Sequence, residues 1–256
     1  MLSVLVLLGM STAAFAQWQE GDFSAELSWQ GSVTQSRNPW MWAQGSLSAP
    51  VDLDVTQAYR AGDLLQWRDL LVQTPLLLGK TERLVPQGRP GIMPVIDYGH
   101  GVPGVSVVWA DNGEARVTMP INGGDGESQQ GGTLTFSLRV NAALVSTQEG
   151  VRHSHNAVAG GDSPGNGMPP ARVAQPTALA IPALRALFGA HAPSWLATEV
   201  PVGKALPMTA LSQAQHQAIG GVYGAEIMAG SGVLSVAVGQ VPSRWQVSLP
   251  IQITYL

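Results

Sequence analysis

Between Phe23 and Val33 apolar and polar residues alternate. Phe23, Ala25, Leu27, Trp29 and Val33 occupy odd positions, every even position is polar, and Gly31 is the single gap in the apolar row. Successive side chains on a strand point to opposite faces, so this run predicts a one-sided β-strand. Arg244–Tyr255 repeats the pattern at the other end, placing Trp245, Val247, Leu249, Ile251, Ile253 and Tyr255 on one face. Between them, strands are predicted at Trp40–Trp42, Val51–Val55, Val105–Trp109, Ala115–Ile121, Thr133–Val145, Tyr223–Met228 and Val233–Val238. Leu76–Leu78 and Ile92–Ile96 have proline beside them and read as short or edge strands. Asp111-Asn112-Gly113 lies between two strand-like runs and signals a hairpin.

Helical spacing is rarer. Asp63–Val72 reads as a short helix through Leu64, Leu65, Trp67 and Leu71. Thr177–Ala190 reads as another, with Pro182 starting or kinking it, and Thr209–Ile219 as a weak third. Gly123–Gly132 is a polar, glycine-rich loop. Ser146–Pro176 is rich in Gly, Pro, Ser and Asn and reads as a long loop or insertion. The sum is an all-β sandwich or barrel with small helices.

Met1–Ala16 is apolar, carries no charge and ends Ala-Phe-Ala, which predicts a signal peptide cleaved after Ala16. The remaining stretch of about 240 residues is enough for one large domain or two small ones. Charged residues are 12% of the chain and the net charge is −4, which argues against a nucleic-acid partner. Cysteine is absent, so an exported fold must rest on burial and backbone pairing, and thiol chemistry is excluded.

Catalytic and metal chemistry find no purchase. Gly99–Gly104 matches G-x-G-x-x-G, but a strand is expected after it where a dinucleotide site needs a helix. His153-Ser154-His155 offers two imidazoles without a third ligand at fitting spacing. Asp125-Gly126-Glu127 lacks alternating oxygen ligands. No nucleophile elbow occurs, and the carboxylates are scattered. The expectation is a protein that is not an enzyme and uses no cofactor.

Several segments in order resemble the FaeG family of chaperone–usher fimbrial subunits. Gly21-Asp22-Phe23 with Gly31-Ser32-Val33 is similar to its mature N-terminus. Trp40-Met41-Trp42 resembles its next strand, Pro75-Leu76-Leu77-Leu78-Gly79-Lys80-Thr81 its Leu-Leu-Gly-Arg-Thr run, Leu184–Phe188 its helix, and Trp245–Tyr255 its C-terminal strand. The resemblance implies an incomplete immunoglobulin-like β-sandwich, the pilin fold, at 36–256, with an insertion at about 146–215. Residues 17–35 would be a donor strand. A periplasmic pilus chaperone would fill the groove first. At the outer-membrane usher, the donor strand of another copy or a related subunit would replace it. Phe23, Leu27, Trp29 and Val33 at roughly 1.5–3 kcal/mol each give on the order of 10 kcal/mol of burial. The resemblance also implies that the near-terminal Tyr255 meets the chaperone. It implies a surface adhesin that binds host glycans through an elaboration between strands, with Arg152, His153, Asn156, Asp162 and Trp195 as sugar-compatible residues. The alternative reading is an outer-membrane β-barrel, which asks for even strands of about ten residues.

Overall fold

The computed structural model describes residues 38–45, 51–123, 130–160, 166–196 and 202–256. The predicted signal peptide and the Phe23–Val33 run lie outside these. The described chain forms β1 (Trp40–Gln44), β2 (Tyr59–Ala61), β3 (Leu64–Trp67), β4 (Thr74–Thr81) and β5 (Val85–Gln87). β6 (Pro94–Tyr98), β7 (Ser106–Trp109), β8 (Glu114–Gly123), β9 (Gln130–Gln148) and β10 (Val151–Val158) follow. Then come the helix α1 (Thr177–Phe188), β11 (Leu206–Pro207), β12 (Gln217–Ile227), β13 (Val233–Ala237), β14 (Trp245–Gln246) and β15 (Ile251–Tyr255).

β9 is the axis. It is 19 residues long and pairs along both edges. One edge takes β8 and then β10; the other takes β13 and then β12. The order β1-β4-β12-β9-β13-β3-β2 runs through it. The even positions Leu134, Phe136, Leu138, Val140, Ala142 and Leu144 are buried in the main core. Ala143 and Val145 face the opposite side, where Leu184 and Phe188 of α1 cover them together with Trp195 and Leu196. A strand with alternating apolar residues over its first half and continuous ones over its second is what these two environments require.

β6 and β15 form a separate antiparallel pair, with Ile253 opposite Ile96. Their inner residues pack on the same core. The buried Tyr98 hydroxyl lies 2.8 Å from that of Tyr223 on β12, and Tyr223 donates to the Gly167 carbonyl at 2.7 Å. Burial pushes both phenols well above the usual range, so both are neutral. The architecture is an all-β pilin-like sandwich with one short helix. The described strands do not close into a barrel.

The hairpin β7–β8 turns through Asn112 and Gly113 at φ 59° and 71°, the geometry that Asn-Gly favours. Val51–Val55 is not a strand but runs into the 3-10 turn Val55–Gln57, capped by Asp54. Three further expectations change. Asp63–Val72 is not a helix: Leu64–Trp67 is β3, paired with β2 and β13. Thr209–Ile219 is a 3-10 turn at Met208–Ser212 running into β12. Ser146–Pro176 is not one long loop. β9 continues to Gln148, reverses at Glu149-Gly150 with both φ positive, and returns as β10. β10 was hidden because His153, Ser154, His155 and Asn156 are polar, although all but His153 are buried.

Candidate subunit-interaction groove

A cleft of about 1010 Å³ opens on the core. Its floor is made by inward side chains of four strands: Met119 of β8, Leu134 and Phe136 of β9, Ile227 of β12, and Leu234 and Val236 of β13. One wall is Leu53, Trp67, Leu70, Leu71 and Leu76. The other is the C-terminal run, through Trp245, Val247 and Leu249. Trp67 is fixed by its indole N–H, which donates to the Asp54 carbonyl at 2.8 Å. The lining is apolar, with Asp52 and Arg244 among its few charged residues.

The C-terminal run keeps its predicted face: residues 245, 247, 249, 251, 253 and 255 are half-buried, and Gln246, Ser248, Gln252 and Thr254 are exposed. It is not one continuous strand. Trp245–Gln246 pairs with β8, and Ile251–Tyr255 pairs with β6, with Pro250 between them. Proline has no N–H to donate, and the chain crosses there from one sheet to the other. The Pro250 carbonyl accepts from Gly99 N at 2.8 Å. Among the described residues β15 pairs with β6 alone, so its other edge carries no partner strand.

Tyr255 is held within its own fold. Its hydroxyl accepts from the Trp42 indole at 2.7 Å. Trp42 stacks on Trp40 with centroids 5.1 Å apart, and Trp40 donates to the Ile92 carbonyl at 2.9 Å. Backbone bonds between Leu256 and Met93 extend the β6–β15 ladder.

The four described sugar-compatible residues do not share one surface. Arg152 is exposed and His153 half-exposed on β10. Asn156 is buried, and its side chain donates to the Gln175 carbonyl at 2.5 Å. Trp195 is buried, and its indole donates to the Thr81 carbonyl at 2.9 Å. Both side chains are interior and hydrogen-bonded. Asp162 lies outside the described residues. Gly99–Gly104 is a turn with positive φ at Gly99, Gly101 and Gly104, and the strand β7 follows it. Among the described residues no three acidic or histidine groups converge as a metal site.

The alternating faces of Arg244–Tyr255 and Thr133–Val145 supply Trp245, Val247, Leu249, Leu134 and Phe136 to the cleft lining. A helix over Asp63–Val72 groups Trp67 and Leu71 as helical apolar positions, with Leu70 outside that set, whereas all three line the cleft. Strand pairing of Leu64–Trp67 sends Trp67 inward beside Leu234.

An all-β sandwich whose core opens into an apolar groove walled by its C-terminal run has the form of a fimbrial subunit. The family described as "Fimbrial, major and minor subunit" matches residues 1–256. Over 237 residues the chain is 35% identical to the K88 minor fimbrial subunit FaeI of Escherichia coli, covering 91% of this chain and 89% of that protein. The chain belongs to the K88-type family of fimbrial subunits. It is a subunit of a surface fimbrium that assembles with other subunits.

Proposed function

We propose that the subunit is polymerised along the chaperone–usher route, by exchange of donor strands in the apolar groove. The observation that carries this is the groove itself, with the C-terminal run as one wall. Side chains on one face of a strand recur about every 7 Å, and the alternating residues of 23–33 supply such a row. Phe23, Ala25, Leu27, Trp29 and Val33 of another copy or related subunit occupy the groove, with Gly31 as the gap in that row. Backbone pairing along the groove's C-terminal wall, whose β14 pairs with β8 alone among the described residues, supplies affinity, and the side-chain pockets supply specificity. Before assembly the same apolar surface is an aggregation hazard. A periplasmic chaperone strand covers it after the signal peptide has directed export, and the outer-membrane usher exchanges that strand for the next subunit's.

Deleting 17–35 tests this. The truncated chain should co-purify with its chaperone, form no fibres, and bind a synthetic peptide of residues 17–35. Fibres from the truncated chain, or no peptide binding, would overturn the reading.

A further inference from the structure

We propose that Asn166 seals the outer edge of β6 against strand addition, so that the small β6–β15 sheet can take a partner's strand only along its C-terminal side. The identity of the incoming strand rests on the donor-strand exchange proposed above. Met93 and Gly99 bond toward β15, through Leu256 and the Pro250 carbonyl. Backbone groups alternate along a strand, so Val95 and Asp97 face β15 too, and Pro94, Ile96 and Tyr98 turn theirs to the opposite edge. A two-stranded sheet has two such edges, and each is a template for another chain.

The outer edge of β6 is closed group by group. Pro94 has no N–H to offer. Gly167 N donates to the Ile96 carbonyl at 3.1 Å. The Asn166 side chain takes both groups of Tyr98. Its Oδ1 accepts from Tyr98 N at 3.2 Å, and its Nδ2 donates to the Tyr98 carbonyl at 2.9 Å. An amide side chain thus stands where a neighbouring strand's peptide group would. A strand there would pass an open edge outward, whereas a side chain ends the ladder. Asp97 fixes which way the amide points. Its Oδ1 accepts from Nδ2 at 2.6 Å, and a reversed amide would turn oxygen toward a carboxylate and a carbonyl. His100 Nδ1 lies 2.9 Å from the other Asp97 oxygen. The plug is anchored in the core: the Gly167 carbonyl accepts from Tyr223, Met168 is buried, and Ala159 N donates to the Pro169 carbonyl at 3.0 Å. A Cβ on Gly167 would lie 2.6 Å from Ile96 Cγ2, so the close approach calls for glycine. The far edge of β15 has no such plug among the described residues, and its outward Ile251, Ile253 and Tyr255 all keep an N–H.

Hydrogen exchange and sedimentation velocity on the full chain test the proposal, with excess free peptide of residues 17–35 present to fill the groove. The parent should be monomeric, with its Tyr98 amide protected. Asn166→Ala should lose at least about ten-fold protection at Tyr98. It should form dimers and larger species as concentration rises toward about 100 μM, and regain Tyr98 protection in them. Undiminished Tyr98 protection in Asn166→Ala, or an exposed Tyr98 amide in a chain that stays monomeric, would overturn the seal. If Asn166→Ala does not fold, Asn166→Ser, too short to bridge both Tyr98 groups, is read in the same way. A parent that binds no peptide refutes donor-strand exchange alone. The seal then stands if the variant associates beyond the parent with Tyr98 protected again, and falls if it does not.

Discussion

Gly79 faces Trp42 directly across β1 and β4. A Cβ there would sit 2.2 Å from Cζ3 of the indole, far inside van der Waals contact. The ring has nowhere cheap to go. It is stacked on Trp40, tilted against Tyr223 at 6.0 Å, and bonded to the Tyr255 hydroxyl. Gly79→Ala should therefore expel the indole from its slot. Overpacking costs about 1–3 kcal/mol, the lost hydrogen bond about 1 kcal/mol, and the lost aromatic pair about 0.5–1.5 kcal/mol. A total of about 3–5 kcal/mol corresponds to a melting point lower by roughly 6–20 °C for a domain of this size. Thermal unfolding followed by near-ultraviolet circular dichroism measures it. In Trp42→Leu the clash is gone, so adding Gly79→Ala to that variant should cost little more, a strongly non-additive cycle. A Gly79→Ala melting point within about 2 °C of the parent, or an additive double variant, would refute the argument that this slot seats the C-terminal strand.

The buried tyrosine pair gives an ordered result in urea. Tyr223→Phe strands both the Tyr98 hydroxyl and the Gly167 carbonyl and should cost about 1–3 kcal/mol, more than Tyr98→Phe, which leaves the Tyr223–Gly167 bond in place. Val247→Asp puts a charge on the half-buried groove wall. It should weaken binding of a peptide of residues 17–35 by about ten- to a hundred-fold, by isothermal titration calorimetry, with the fold kept. His155 and His216 have folded pKa values below their unfolded ones, so the unfolded chain binds more protons as acid is added. The stability they contribute is present above about pH 6.5 and is lost as pH falls through their folded values, so the urea midpoint should drop between pH 7 and pH 5. Asn156→Ala should lower stability by about 1–3 kcal/mol through the orphaned Gln175 carbonyl, again by urea unfolding.

Legibility followed burial geometry. β9 could be read because its first half has one wet and one dry face, and alternation records that difference. β10 could not, because Ser154–Val158 is buried whichever way its side chains point and satisfies its polar groups internally, through Ser146, Thr177, Gln175 and the Lys204 carbonyl. Hydropathy carries no trace of such a strand. Leu64, Leu65 and Trp67 fit both the helical and the extended period, and only pairing with β13 decides between them. The groove's C-terminal wall was visible as a face, but the sheet crossing at Pro250 was visible only as a proline inside the run. Asn156 and Trp195 show the converse. Residue type suggested a sugar surface, and tertiary packing put both inside.

β9 also has a mechanical meaning for a fibre. At about 3.4 Å per residue its 19 residues extend roughly 60 Å, bonded to neighbours along both edges. Tension along such a strand loads many hydrogen bonds in parallel, so they must shear together. The two-residue pairing of β14, by contrast, can peel one bond at a time. A stretched subunit should therefore yield first where its C-terminal run meets β8, beside the groove, and keep its long central strand paired to the last.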